Sequence, residues 1–396
     1  MADHPTLAQV VEALDRRYPP SGAEQWDRVG LVVGDPAARV RHVLLAVDPV
    51  LDVVEEAERR GADLIVTHHP LLLRGVHSVA ASSAKGALVH RLIRSGIGLY
   101  AAHTNADVAN PGVADALADA LGLLDVRPLL AAPGPALDKH VVFVPVEAAN
   151  RLVDALSAAG AGALGEYSRC AWTSTGTGTF IPSDVASPAI GTAGQIAEVV
   201  EARVEMIAPR SRRAAVVAAM RAAHPYEEPA FDVLEQAGLP GGTGTGRLGR
   251  LAAPEPLAVF AARVAAALPP TAAGVRYAGD PDGSVSSVAV LGGSGDGFFD
   301  AVRASGADVY VTADLRHHPA SEAREQALVE AATGRRAAAT PYLVDVAHSA
   351  SEWLWLPGAA ATLVADLGGS VTTHVSTLRT DPWTGHVASP TFEGAP

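Results

Sequence analysis

Three short clusters of histidine and carboxylate carry the chemistry legible in this chain. The first is Thr67-His68-His69-Pro70, an adjacent histidine pair closed by a proline. The second runs from His103 to Asp107 and the third from His348 to Glu352, each a histidine with a carboxylate four residues on. On a helix, positions i and i+4 share one face with Cβ atoms about 5–6 Å apart, so such a pair can grip one ion. Adjacent strand residues point to opposite faces, so His68 and His69 converge only at a strand end, which Pro70 marks. Singly, each cluster has an ordinary reading: one buried and one solvated histidine, or a polar cap at a helix end. Together, His68, His69, Asp107, His348 and Glu352 make a nitrogen and oxygen donor set suited to zinc, iron or manganese. Five donors exceed the needs of one tetrahedral zinc. Two divalent ions per subunit, about 3.5–4 Å apart, account for the surplus, and such pairs activate water for hydrolysis. His103 and His317 are the expected catalytic proton carriers, and Asp314 is a further candidate for orienting a ligand or substrate.

The elements that must position these residues form an internal repeat. GADLIVTHHP, from Gly61 to Pro70, resembles GADVYVTADLRHHP, from Gly306 to Pro319. The separation holds at 245 residues from Gly61 to Gly306, from Thr67 to Thr312, from His69 to Asp314 and from His103 to His348. A constant offset across several elements points to duplication. Each copy reads strand, helix, strand, helix, strand, which predicts a largely parallel sheet with right-handed crossovers. The uncharged runs after Gly-Ala-Asp suit strands buried on both faces. The polar clusters then fall at the carboxyl ends of strands, where open α/β sheets hold ligands. The expected fold is a duplicated, mostly parallel αβα sandwich in two pseudo-symmetric halves.

The halves are too far apart to be contiguous. Leu129 to His140 is rich in alanine and proline and reads as a linker, and composition shifts again between Gly238 and Leu251. Between them the order is strand, helix, strand, strand, helix, strand, the ferredoxin-like arrangement. The predicted organisation is 1–128 with 247–396 as one discontinuous α/β domain, and 129–246 as an inserted α/β plait. Gly176-Thr-Gly-Thr-Phe180 lacks the Gly-Lys-Ser/Thr ending of a phosphate loop and reads as a hairpin. The run from Leu291 to Phe299 could offer amides to a phosphate at a helix start, but a tight strand–helix turn is the favoured reading. The run from His224 to Glu228 reads as a polar turn.

Composition narrows the function. The chain has 396 residues, 43 acidic and 30 basic, for a formal charge of −13. That balance speaks against general nucleic-acid or anionic-membrane binding, both of which need basic surface. Cys170 is the single cysteine, which excludes an intrachain disulfide and any multi-cysteine metal site. No stretch of about 18 apolar residues predicts a membrane span, and the N-terminus lacks the pattern of a signal peptide. A cytoplasmic protein is expected.

Trp26-Asp27-Arg28-Val29-Gly30-Leu31, the THHP, HTNAD, TADLRHH and HSASE runs resemble the Nif-three-like dinuclear metal centre proteins, whose bacterial members carry the name GTP cyclohydrolase I type 2 homologue. In the insertion, GEYSRCAW, GTGTFIP and AHPYEEPAFDV are similar to the longer bacterial members. Position by position, the resemblance implies metal ligation by His68, His69, Asp107, His348 and Glu352. It also implies a toroidal homohexamer with metal sites facing an internal cavity, and an inserted domain similar to the PII/CutA type. The chain departs from the family pattern at Arg28, at Ala313 and in the residues before His348, positions that line the pocket more than they ligate. The expected function is a metal-dependent hydrolase acting on a nucleotide or related heterocycle, GTP ring opening being the family's usual label. The alternative is a non-catalytic metal-binding or regulatory scaffold that forms the ring. A DNA-associated ring is opposed by the charge.

Overall fold

The computed structural model describes residues 4–387. The chain divides into two compact units, Met1–Ala132 with Gly242–Pro396, and Pro133–Gly241. Both mix helix and sheet.

The larger unit holds two sheets. In the five-stranded sheet the order is Gly30–Val33, Gly98–Ala101, Leu64–Thr67, His42–Ala46, Thr372–Val375. Its last four strands are parallel, and Gly30–Val33 runs antiparallel at the edge. In the six-stranded sheet the order is Arg276–Ala278, Tyr342–Val346, Val309–Ala313, Ser284–Ser294, Pro240–Pro256, Leu124–Pro133. Only its three central strands are mutually parallel, with antiparallel neighbours at both flanks. The parallel expectation therefore holds for four strands of the first sheet, edge strand Thr372–Val375 included, and fails at Gly30–Val33 and at both flanks of the second. Centre strands such as Leu64–Thr67 and Val309–Ala313 are buried at every residue, as two covered faces require.

Each sheet receives a helix and an edge strand from the distant half of the chain. Helix Val113–Ala120 leads into Leu124–Pro133 at the edge of the six-stranded sheet, and its Leu117 and Ala118 pack with Val288 and Val290. Helix Trp355–Asp366 leads into Thr372–Val375 at the edge of the five-stranded sheet, where Leu356 and Leu363 pack with Leu7 and Val43. The exchange ties the two sheets into one body and brings their strand ends to a common site.

One expectation is corrected. The stretch from Leu129 to His140 is not a linker, because strands Leu124–Pro133 and Leu137–Pro145 run through it. Pro128 and Pro133 are tolerated because their strand is an edge, where a missing N–H breaks no inner ladder. The glycine-rich stretch near Gly238, where composition shifts, is strand Pro240–Pro256. A Cβ at Gly244 would lie 2.1 Å from the Leu130 carbonyl oxygen, so glycine there permits close backbone approach.

In the smaller unit the four-stranded antiparallel sheet has the order Trp172–Phe180, Ala197–Pro209, Leu137–Pro145, Phe231–Glu235. Helices Ala149–Ala158 and Arg213–Ala223 cover one face, packing Leu152, Val153, Val216 and Met220 on Val142, Val144, Val204 and Met206.

Candidate metal centre

The site is built at the carboxyl ends of parallel strands. His68 and His69 follow Leu64–Thr67, His103 follows Gly98–Ala101, Asp48 follows His42–Ala46, Asp314 follows Val309–Ala313, and His348 follows Tyr342–Val346. The adjacent histidines converge because the strand turns immediately beyond Thr67. The buried Thr67 hydroxyl donates to the His69 carbonyl at 2.8 Å, and the two rings lie 5.1 Å apart. Glu352 comes to His348 through the i+4 spacing of helix His348–Trp353, with Oε1 2.9 Å from His348 Nε2.

Each of four imidazoles is tied at Nδ1 and free to point Nε2 inward. His68 Nδ1 donates to the Ala102 carbonyl at 2.9 Å, and His69 Nδ1 to Asp48 at 2.7 Å. His103 Nδ1 donates to Asp27 at 2.8 Å, and His348 Nδ1 to Asp314 at 2.7 Å. A carbonyl or carboxylate on the far ring nitrogen is the usual support of a metal-ligating histidine. His68, His69 and His103 present nitrogens within 4.8 Å of one another, and the nitrogens of His69 and His348 lie equally close to each other and to a carboxylate oxygen of Glu352. His69 belongs to both groups. Asp107 stands somewhat further off, 3.7 Å from His68 Nε2.

Burial makes this arrangement costly without a cation. His68 is 1% exposed, and its Nε2 has no hydrogen-bond partner among the described residues. Glu352 is 2% exposed, and its carboxylate lies 3.4 Å from His68 Nε2 and 3.2 Å from His69 Nε2. Burial opposes charge on His69, yet Glu352 and Asp48 outweigh it and push the imidazole up to about 11. His348 is likewise buried against its charge but raised to about 9 by Glu352 and Asp314. Burial would raise Glu352, but the surrounding histidines hold it well below the carboxylate range. Burial drives Asp107 the other way, upward, with Glu352 adding to the effect. For Asp27, hydrogen bonds from His103 and Thr104 prevail over burial and lower it. A buried donor set of opposed imidazole nitrogens and a carboxylate fits a divalent cation.

Of the residues singled out from sequence, His68, His69, His103, His348 and Glu352 meet here, with Asp107 at their edge. Asp314 orients His348, from a backbone at φ 54°, a left-handed conformation that Asp tolerates better than most residues. His317 does not join either group. It is exposed at the start of helix His317–Ala332, its ring 5.2 Å from that of His318. The Leu291–Phe299 run serves the site by close packing, since a Cβ at Gly293 (φ 72°) would lie 2.6 Å from Glu352 Oε1. Its amide donates to the Ser351 hydroxyl at 2.9 Å.

Sequence reasoning missed Asp48 and the orienting role of Asp27. Asp48 carries no motif, and its only signal is a carboxylate two residues beyond a buried strand. The Asp27 carboxylate also accepts from the Thr104 amide and hydroxyl.

Comparison with known proteins gives the family. The profile of the family described as Duf34/NIF3 (NGG1p interacting factor 3) matches residues 5–382. A Mycobacterium tuberculosis protein named GTP cyclohydrolase 1 type 2 homolog is 53% identical over 378 residues, covering 95% of this chain and 96% of its own. A Streptomyces coelicolor protein of the same name is 40% identical, with 97% and 96% covered. The solved structure of a Bacillus cereus protein related to NIF3 superposes with a TM-score of 0.75 at 37% identity, covering 96% of this chain and 99% of that one. A Staphylococcus aureus structure gives a TM-score of 0.80 at 29% identity, with 97% and 99% covered. The motif set, the mixed α/β fold and these matches across nearly the whole length lead to one conclusion: the chain belongs to the DUF34/NIF3 family.

Proposed function

We propose that this chain binds two divalent metal ions and uses them to hydrolyse a nucleotide or related heterocycle. The observation that carries the reading is His69, which belongs to two donor groups at once. The two ions would be held by His68, His69, Asp107, His348 and Glu352, with His103 beside them. Zinc, iron and manganese suit these donors, and ions bound there would supply Lewis acidity and water activation. The protein's own part is positional: Asp48, Asp27 and Asp314 fix the imidazole tautomers, and Glu352 supplies negative charge in a dry setting. The cleft beside His69 and His348 is lined by Arg276, Trp383 and His386, groups able to meet an anionic or planar substrate. The names of the M. tuberculosis and S. coelicolor relatives favour a nucleotide.

The same proposal takes the two sheets as a duplicated pair and the 133–241 unit as an inserted ferredoxin-like plait, which its element and strand order support. It also takes the assembly to be a hexameric ring, which sedimentation velocity tests. Elemental analysis of the purified protein, followed by a nucleotide and heterocycle screen with the metal found, tests the function. Near two ions per chain and turnover abolished by His68→Ala are expected. Full metal content with no turnover across the panel would favour the scaffold reading.

A further inference from the structure

In the 133–241 unit, side chains alternate across the sheet. Val142, Val144, Ala202 and Val204 enter the core beneath the helices, so Phe143, Glu201 and Arg203 face the opposite side. There, between the sheet and the segment from Pro182 to Ile190, lies a cavity of about 550 Å³, within the size range of small-molecule sites. Two sequence runs left without a role by the metal centre, Gly176–Phe180 and His224–Glu228, meet on it.

The glycines create the space. A Cβ at Gly178 would lie 2.1 Å from Glu201 Oε2, so the carboxylate lies where a side chain would be, while Gly176 opens onto free volume. Phe180 and Tyr226 stand edge to face at 5.9 Å, and Phe143 carries the Arg203 guanidinium 6.0 Å from its centre. Arg203 is already engaged by Glu205 at 3.0 Å. Glu201 forms no ion pair among the described residues. The Tyr226 hydroxyl is buried next to Glu201 without reaching a well-formed hydrogen bond. Burial and that carboxylate push its pKa up to about 12. The Glu227 carboxylate accepts from the Ser187 amide at 3.1 Å, holding the covering segment in place.

An unpaired carboxylate, an underused hydroxyl and aromatic faces around one cavity are complementary to a cation that also presents N–H donors. We propose that this cavity is a binding site for a small organic cation with a flat, N–H-bearing head, an amidinium or a protonated aromatic amine. Glu201 takes the charge and the N–H groups, Tyr226 accepts or donates at the edge, and Phe143 and Phe180 cover the ring. The proposal is independent of the metal centre.

Benzamidine is the probe, with benzoate as the anion of matched shape, titrated calorimetrically into the full-length protein. Benzamidine should bind and benzoate should not. Glu201→Gln should weaken benzamidine at least tenfold, and Gly176→Leu, which fills the cavity from an uncrowded position, should abolish binding. Both variants should retain the metal content and circular dichroism of the parent. Equal binding of benzoate, no binding of benzamidine, or benzamidine binding unchanged in Glu201→Gln would overturn the proposal. So would a Gly176→Leu variant that falls apart into smaller assemblies while the parent ignores benzamidine, because the face would then be a contact between copies.

Discussion

His69 and His348 meet Nε2 to Nε2 at 3.2 Å, each with its Nδ1 hydrogen on an aspartate, Asp48 for one and Asp314 for the other. With both rings tied in this way, their neutral forms would set two lone pairs against each other, half-buried beside the Glu352 carboxylate. Only a positive charge between them, a proton or a metal ion, makes the pair favourable.

Removing either orienting carboxylate should therefore loosen metal and leave the fold intact. Asp48→Ala and Asp314→Ala are each expected to lower metal affinity by about 10–100-fold, the usual cost of losing such support. Competition with a chromophoric chelator measures this. Affinity unchanged in both variants would mean that neither ring acts as a ligand.

Metal uptake should release protons. With His69 raised to about 11 and His348 to about 9, both rings carry a proton near neutrality in the metal-free protein. Binding must displace them, so affinity rises with pH. Without metal, the stabilisation from these two charged rings is fully present below the ordinary histidine value of about 6.5 and is lost as pH climbs through the raised values. Calorimetric titration of zinc in two buffers of different ionisation enthalpy reads the released protons directly. Identical heats in both buffers would contradict the expectation.

Gly293→Ala tests the close packing against Glu352. The new methyl would lie 2.6 Å from Glu352 Oε1 and 3.3 Å from His348 Nε2, at a backbone φ of 72°. A stability loss of about 1–3 kcal/mol is expected from the strained backbone, together with reduced metal occupancy as Glu352 moves. Denaturant unfolding and elemental analysis report the two effects separately.

Arg247 should be the most sensitive position away from the metal. It is 1% exposed, forms two 2.6 Å bonds to the Asp115 carboxylate, and also donates to the carbonyls of Ala109, Gly244 and Gly246. Arg247→Ala leaves three carbonyls without this donor and the half-buried Asp115 carboxylate with only the Gly112 amide, so a loss of about 3–5 kcal/mol is expected. A loss below about 1 kcal/mol in urea unfolding would show that water satisfies those groups.

Much of the site was readable because its spacing is local. The i+4 pair His348 and Glu352 needs only one helical turn to meet, and Thr67-His68-His69-Pro70 signals a strand end by itself. The 245-residue offset aligned His103 with His348 before any contact was known. Edge strands were harder to read. The stretch from Leu129 to His140 looked like a linker because an edge strand tolerates prolines that an inner strand excludes.

The sequence alone determined the donor chemistry, since one cysteine and a set of histidines and carboxylates leave only nitrogen and oxygen ligands. It determined the parallel strand centres too, through buried runs of fixed offset. Tertiary structure decided which donors share a cavity. Asp48 reaches His69 and Asp27 reaches His103 across separations of 21 and 76 residues, and no periodicity encodes such pairings. His317 and His103 are equivalent as residue types, yet one lies exposed on a helix start and the other points into the cluster. That difference arises from strand order and from the helices exchanged between sheets, which are properties of the packed chain and not of any local segment.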